Sequence, residues 1–230
     1  MIVLGMGLVL GCSDASETLE PETSFTESEL NALLPPSKPG NNLRGTPATK
    51  TYSMVVDPIN GGDQTGNSLL VRNDFGLSMA LKTNISPGHA ATVWWIIFNN
   101  PENCAFTPCG GPNFEDLMNG ESTGLAMLYA GGSVASQKGN FSVGAHLKEN
   151  QITESVNGVI LGQPERTLAD ARKAEIHLVV RDHGPKIPGQ VNDQIGSWAG
   201  GCTEFLFPFT EIPDEVGECG DIQASIHLVN

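Results

Sequence analysis

The stretch Thr92-Val93-Trp94-Trp95-Ile96-Ile97-Phe98 decides the fold class of this chain. It consists of β-branched and aromatic residues, which are enriched in strands. Successive side chains of a strand point to opposite faces, so each face of this run is apolar: Trp94, Ile96 and Phe98 on one, Val93, Trp95 and Ile97 on the other. A strand that is apolar on both faces must be covered on both. We expect the outer cover to be the chain's own long loops, the Cys104–Cys109 segment or a partner, with an aromatic ligand platform as the alternative.

Alternation with a period of two residues recurs along the rest of the chain. It is visible at 51–56, 68–72, 77–81, 125–129, 133–136, 141–148, 174–181 and 222–229. Turn residues separate these runs, and no long amphipathic helix interrupts them. The pattern predicts an all-β fold, an antiparallel sandwich or barrel, and we expect a β-sandwich of Greek-key, Ig-like or jelly-roll-like type. Two short helices are expected, at Thr167 to Lys173 and at Val191 to Trp198.

Composition and charge narrow the functional classes. The chain has 230 residues, of which 39% are hydrophobic, so it can form a real core. Its 26 acidic and 12 basic residues give a net charge of −14. This charge argues against a nucleic-acid partner, which requires a basic surface, and against electrostatic attraction to anionic lipids.

The N-terminal region has the features of an export signal. Met1 to Gly11 is apolar, too short for a membrane-spanning helix but the right length for the h-region of a secretory signal. Val9-Leu10-Gly11-Cys12 resembles the lipobox of bacterial lipoproteins, in which the cysteine is lipidated and becomes the first mature residue. The resemblance implies a signal peptide over residues 1–12 and a membrane anchor at Cys12. Ser13 then implies the outer membrane or cell surface, with the periplasmic side also open. The alternative is a buried strand with a free cysteine.

Residues 13–50 are predicted to be a flexible acidic tether in front of a single domain over residues 51–230. The segment is rich in Ser, Thr, Glu and Pro and lacks the apolar density to fold alone. Within it, Thr26 and Glu29 have capping-box spacing, which predicts one or two helical turns that Pro35 ends.

The remaining cysteines predict disulfides. Cys104, Cys109, Cys202 and Cys219 are an even set in a chain expected to be exported. Of three possible connectivities the simplest joins neighbours, Cys104 with Cys109 and Cys202 with Cys219. The alternative is a four-thiolate metal site, although the spacing lacks the paired C-x2-C of zinc ribbons.

Three predicted strands each carry a histidine, His146, His177 and His227, opposite an alternating apolar row. If those strands are neighbours, the rings converge into a three-imidazole site for Zn or Cu. A metal carrier or oxidoreductase would follow. The alternative is that each histidine bonds only to its own neighbours, because strand order is not fixed by the sequence.

Other candidate sites are weaker. Arg181, Asp182 and His183 are a candidate binding cluster, or a trio that fixes its own loop. Trp95 and Trp198 are candidate sugar-stacking rings, or core residues. The oxygen-rich stretch from Asp57 to Asp63, followed by Asn67, is a poor match to a Ca site. There is no H-E-x-x-H or phosphate-binding glycine loop, so an enzyme is not favoured.

Two stretches, Trp94 to Cys104 and Glu175 to Pro185, resemble a group of uncharacterised secreted bacterial β-sandwich proteins. The resemblance covers most of residues 51–230 and implies a fold but no activity. The sequence as a whole predicts a lipid-anchored binding or structural module at the cell envelope, with an envelope protein or a glycan as partner. The alternatives are a His-ligated Zn or Cu protein and a carbohydrate-binding module.

Overall fold

The computed structural model describes residues 25–35, 47–58, 62–206 and 211–229. The predicted lipobox, Cys12 and most of the predicted tether lie outside these residues. No helix among the described residues combines the length and the apolar character needed to cross a bilayer.

Strands dominate the described part of the chain. They are β1 (Thr49–Asp57), β2 (Asp63–Asn73), β3 (Gly76–Asn84), β4 (His89–Phe98), β5 (Leu125–Val134), β6 (Asn140–Lys148), β7 (Glu175–Pro185), β8 (Glu204–Phe205) and β9 (Glu218–His227). The helices are short: α1 (Glu27–Leu33), α2 (Glu115–Met118), α3 (Gly120–Thr123), α4 (Asn157–Leu161) and α5 (Val191–Gln194), with a 3-10 turn at Pro101–Asn103. The all-β prediction is confirmed.

The strands follow the order β5-β4-β7-β9-β1-β2-β3-β6 in one sheet. All these neighbours are antiparallel, and only the two-residue β8 runs parallel to its partner β9. β1 and β9 share a single residue pair, Val56 with Ala224, so the sheet divides there into two halves of four strands. The other ends, β5 and β6, also lie against each other, which nearly closes the sheet around one core.

That core contains residues from β1 to β7 and from β9, so both halves of the sheet face it. Trp95 is its largest side chain and is 1% exposed. Val93 and Ile97 share this inner face, whereas Trp94, Ile96 and Phe98 belong to a second cluster on the outer face. The two-faced character of β4 is therefore confirmed, and its outer cover consists of the chain's own loops.

The inner face of β9 is polar. Val180 pairs with Gln223 but Arg181 pairs with Asp221, so Ile222 is an extra residue that makes a bulge. Beyond the bulge, three polar side chains face inward: Gln223, Ser225 and His227. Polar partners on the facing strands satisfy them, such as Thr83 Oγ1 at 2.8 Å from Gln223 Oε1. Burial of these groups is tolerable because they are hydrogen-bonded.

Helix α1 packs on the sheet, inside the segment predicted to be a flexible tether. Thr26 and Glu29 form the predicted capping box. Leu30 is 1% exposed and covers Leu69 and Ala80 on the outer face of β2 and β3. The ion pair of Lys82 with Glu29, at 2.9 Å, lies at its edge. Residues 27–33 are therefore packed on β2 and β3, inside the stretch that the sequence assigns to the tether.

One predicted helix forms in part and the other does not. α5 covers the first half of the stretch from Val191 to Trp198. The stretch from Thr167 to Lys173 is a turn, because the Asp170 carboxylate accepts from Arg172 N at 2.9 Å and Asp170 O closes a single turn on Ala174 N. Local side-chain bonding competes with helix formation at such residues.

Candidate functional site

The outer face of β4, β5 and β7 is covered by loops and short helices. Trp94, Ile96 and Phe98 lie at its centre. The disulfide loop from Cys104 to Cys109, the helices α2 and α4, and the Trp198 segment surround it. These covering pieces do not close completely, and a pocket remains between them and the sheet.

This pocket, which we call the outer pocket, has a volume of about 250 Å³ and is mostly apolar. Its polar lining residues are Asn113 and Asp221. Its apolar lining residues are Ile96, Met127, Val179, Phe114, Leu117, Met118, Ile160, Leu161 and Trp198. Ligand sites in proteins typically combine such an apolar wall with a few polar groups that orient the ligand.

A buried carboxylate holds the α2 side of the outer pocket in place. Asp116 Oδ1 accepts from Ala105 N at 2.7 Å, and Asp116 Oδ2 accepts from Gly110 N at 2.9 Å and Phe106 N at 3.3 Å. One α2 residue thus ties the helix to both ends of the disulfide loop. The contacts fix the positions of Leu117 and Met118, which line the pocket.

An ion pair forms the polar corner of the outer pocket. Arg181 Nη1 donates to Asp221 Oδ1 at 2.8 Å, and Arg181 Nε donates to Trp198 O at 2.9 Å. The guanidinium also stacks on the Trp198 ring, 3.9 Å from its centroid. Burial raises the pKa of Asp221, and the charge of Arg181 partly opposes that rise.

The three histidines predicted to converge do not come together. His146 is exposed on β6, which among the described strands pairs with β3 alone, and it bonds to Ser78 Oγ at 3.0 Å. β7 and β9 are neighbours, but His177 pairs with Ile226 and Ile176 pairs with His227. His177 therefore lies on the outer face and His227 on the inner face.

Each of the two histidines on neighbouring strands has its own partners. His177 Nε2 lies 2.7 Å from Glu175 Oε1, and its ring contacts Phe98. His227 lies 2.9 Å from both Thr51 Oγ1 and Ser68 Oγ. Burial, with the charges of Arg72 and His177, lowers the pKa of His227 to about 3. The bonding of each histidine to its own neighbours, the alternative stated above, is what the structure contains, and the predicted Zn or Cu site at these residues is not formed.

The trio Arg181, Asp182 and His183 also divides. Arg181 belongs to the outer pocket, Asp182 pairs with His89 Nδ1 at 3.0 Å inside the fold, and His183 contacts the second disulfide. Asp182 additionally accepts from Gly184 N at 2.8 Å, so it fixes its own loop. These residues do not form one binding cluster.

The two candidate sugar-stacking rings have different environments. Trp95 is a core residue, which removes it as a stacking platform. Trp198 is half-buried, stacked by Arg181 and in edge contact with Trp94 at 5.1 Å between centroids. It contributes a wall to the outer pocket rather than an open flat surface.

Both disulfides join neighbours, as the simplest connectivity predicts: Cys104 with Cys109 and Cys202 with Cys219. Among the described residues, one group of three His, Cys, Asp or Glu side chains has all its potential metal-ligand atoms within 4.8 Å of one another. Its members are His183, Cys202 and Cys219. Asp57 and Asp63 of the suggested Ca loop pair in the β1–β2 hairpin, and residues 59–61 between them lie outside the described ranges.

Sequence reasoning missed Asp221 and the helices that wall the outer pocket. Asp221 is buried because of the bulge at Ile222 and its ion pair with Arg181, neither of which the alternating sequence pattern reveals. The signal that the sequence offered for a buried carboxylate was Arg181, a charged residue on a predicted strand. No protein-family model, curated protein or solved structure matches this chain.

Proposed function

We propose that this protein is an exported, lipid-anchored binding module that captures a small apolar molecule in its outer pocket. The observation that carries the proposal is the pocket itself: a cavity of about 250 Å³ with nine apolar lining residues and one carboxylate at its corner. The volume lies just below the roughly 300–1,000 Å³ of sites for drug-sized ligands, which favours a compact small molecule over a protein segment.

The polar corner favours a neutral ligand with one hydrogen-bond donor. Arg181 already balances the charge of Asp221, so a cationic ligand would bring an unbalanced charge into a desolvated corner. An anionic ligand would face the Asp221 carboxylate. A hydroxyl or N–H group can donate to the carboxylate while an apolar body lies along Ile96, Met127 and Val179.

The rim of the outer pocket supports the entry of such a ligand. Met118 on α2 is 64% exposed, and Ile160 on α4 is 37% exposed, so both reach from the lining to solvent. Methionine side chains are flexible and polarisable and adapt to ligands of different shape.

Export rests on two independent supports, and lipid anchoring rests on the first of them. Val9-Leu10-Gly11-Cys12 has lipobox character, and two disulfides are typical of proteins outside the reducing cytosol. In a bacterial host we expect Cys12→Ser to abolish incorporation of labelled fatty acid and to move the chain from the membrane fraction to the soluble fraction. Ser13→Ala, as control, keeps the label. Labelling of the Cys12→Ser chain would contradict the anchor.

The binding proposal is tested with two matched fluorescent probes on the purified full chain. N-phenyl-1-naphthylamine is neutral and apolar and has one N–H group. Its sulfonated analogue 8-anilino-1-naphthalenesulfonate has the same rings and an added negative charge. We expect the neutral probe to bind one per chain and the anionic probe to bind at least about tenfold more weakly, a difference of about 1.4 kcal/mol.

Two neighbouring residues of α4 provide a matched pair of variants. Ile160 lines the outer pocket, whereas Val159 is 81% exposed and does not line it. Ile160→Trp fills the mouth and is expected to weaken the neutral probe about tenfold or more, while Val159→Trp leaves it within about twofold. Equal effects of the two substitutions, or no binding by the unmodified chain, would reject the outer pocket as the site.

A further inference from the structure

The Cys202–Cys219 disulfide lies against a buried histidine. His183 Nδ1 is 3.5 Å from Cys202 Sγ and 3.7 Å from Cys219 Sγ. His183 and Cys219 are fully buried, and Cys202 is partly exposed, so the disulfide can be approached from one side. The other disulfide, Cys104–Cys109, is not part of any such group within the described ranges.

These separations match those between the ligands of a tetrahedral zinc ion. With Zn–S near 2.3 Å and Zn–N near 2.0–2.1 Å, a sulfur and a nitrogen ligand lie about 3.6 Å apart and two sulfur ligands about 3.8 Å apart. Both nitrogen-to-sulfur distances already have that value. Only the two sulfur atoms must move apart, from a sulfur–sulfur bond length of about 2.0 Å to the separation of about 3.8 Å between two sulfur ligands of zinc.

The backbone keeps the two cysteines together without the covalent bond. Glu204 pairs with Glu218 and Phe205 with Cys219 in the short parallel ladder of β8 and β9. Thr203 N donates to Gly217 O at 2.8 Å, and Leu206 N donates to Cys219 O at 2.8 Å. These bonds flank the disulfide on both strands, so its reduction leaves both thiols beside His183.

The surroundings of His183 suit a metal ligand. His183 is fully buried, and each of its ring nitrogens has a polar neighbour besides the disulfide. His183 Nε2 lies 3.0 Å from Thr92 Oγ1, which can accept its proton and orient the ring when Nδ1 binds metal. Gly200 O lies 3.0 Å from Nδ1, so this carbonyl or a water is positioned to complete the tetrahedron.

We propose that reduction of the Cys202–Cys219 disulfide creates a Cys2His zinc site with His183. A dithiol, or a phosphine with water, supplies two electrons and two protons, which break the sulfur–sulfur bond and yield two thiols. Zinc binding then replaces both thiol protons, which leave to solvent, and the imidazole proton moves from Nδ1 to Nε2. The chain is thereby a redox-dependent zinc binder, independently of the ligand of the outer pocket.

The test compares oxidised and phosphine-reduced full-length chain under anaerobic conditions. Reduced protein is expected to bind one zinc per chain and to show the sulfur-to-metal charge-transfer and intense visible bands of tetrahedral cobalt when Co²⁺ is the probe. Zinc is also expected to protect Cys202 and Cys219, but not Cys104 and Cys109, from alkylation measured by mass spectrometry. The oxidised chain is expected to bind none.

Variants separate this site from other thiols. The Cys104→Ser/Cys109→Ser chain keeps the full zinc stoichiometry after reduction, and Cys12 is present in every variant. His183→Gln is expected to weaken zinc at least about tenfold. If that variant misfolds by circular dichroism, the alkylation pattern of the reduced unmodified chain decides. Equal zinc in the oxidised chain, equal protection of all four cysteines, or unchanged affinity of folded His183→Gln would overturn the proposal.

Discussion

The guanidinium of Arg181 lies 3.9 Å from the ring centroid of Trp198 and simultaneously 2.8 Å from a carboxylate oxygen of Asp221. One side chain of β7 thereby fixes both the aromatic wall and the polar corner of the outer pocket. A planar guanidinium can stack and donate in its plane at once, which a lysine ammonium cannot do. Arg181 is 2% exposed, so solvent does not replace these contacts when they are lost.

Arg181→Met is expected to lower the free energy of unfolding by about 3–5 kcal/mol, because it leaves the Asp221 carboxylate buried without its partner. Urea unfolding followed by circular dichroism measures this. Lys173→Met is the control, since Lys173 pairs with Asp170 at the surface with 79% of its side chain exposed, and a change below about 1 kcal/mol is expected there. Similar losses in both variants would contradict the assigned role of Arg181.

Acid is expected to destabilise the fold between pH 6.5 and about 4. Burial lowers the pKa of His183 to about 4 and that of His227 to about 3, whereas both titrate near 6.5 when unfolded. In this window the unfolded chain binds more protons than the folded chain. Each histidine therefore lowers the free energy of unfolding by up to about 1.4 kcal/mol per pH unit as the pH falls. The raised pKa values of Asp182 and Asp221 act in the opposite direction.

Urea unfolding at pH 7 and pH 5 tests this pH dependence. A net loss of about 1–3 kcal/mol is expected for the unmodified chain. His227→Asn should be less stable at pH 7 yet lose less on acidification, because one of the two groups has been removed. His146→Asn changes an exposed histidine and should lose as much as the unmodified chain. If His227→Asn loses as much unfolding free energy between pH 7 and pH 5 as the unmodified chain, His227 does not contribute to the acid sensitivity.

Leu30→Ala is expected to undock α1 from β2 and β3. Leu30 is the buried residue of that helix and covers Leu69 and Ala80. The loss should be about 2 kcal/mol, the low end for a buried leucine, since a seven-residue helix can detach without unfolding the sheet. Hydrogen exchange should accelerate at residues 27–33 while the sheet stays protected. Leu228→Ala, at a residue 44% exposed, should change neither.

Asp116→Asn is expected to loosen the α2 wall of the outer pocket. The substitution places an amide where three backbone N–H groups now donate to a carboxylate, from Ala105, Phe106 and Gly110. We expect a stability loss of about 1–3 kcal/mol and weaker binding of N-phenyl-1-naphthylamine. Glu121→Gln, at an exposed residue of α3, is the control for charge alone. Unchanged probe affinity in Asp116→Asn would show that the contacts between α2 and the disulfide loop do not affect binding.

Features that depend on near neighbours in sequence were predictable. The alternation of Thr92 to Phe98 specifies a strand with two apolar faces, because side-chain direction in a strand repeats every two residues. The capping box of Thr26 and Glu29 formed for the same local reason, and Pro35 follows the end of α1. Neighbouring cysteines close short loops, and both predicted pairs formed.

Features that depend on strand order and on register were decided only by the tertiary structure. A single extra residue, Ile222, turns His227 to the inner face, and the pairing of β6 with β3 takes His146 away from His177. The outer pocket combines side chains from four strands, two helices and the Trp198 segment, whose meeting no local pattern encodes. Sequence periodicity thus determined which residues form strands, whereas long-range pairing determined which side chains meet.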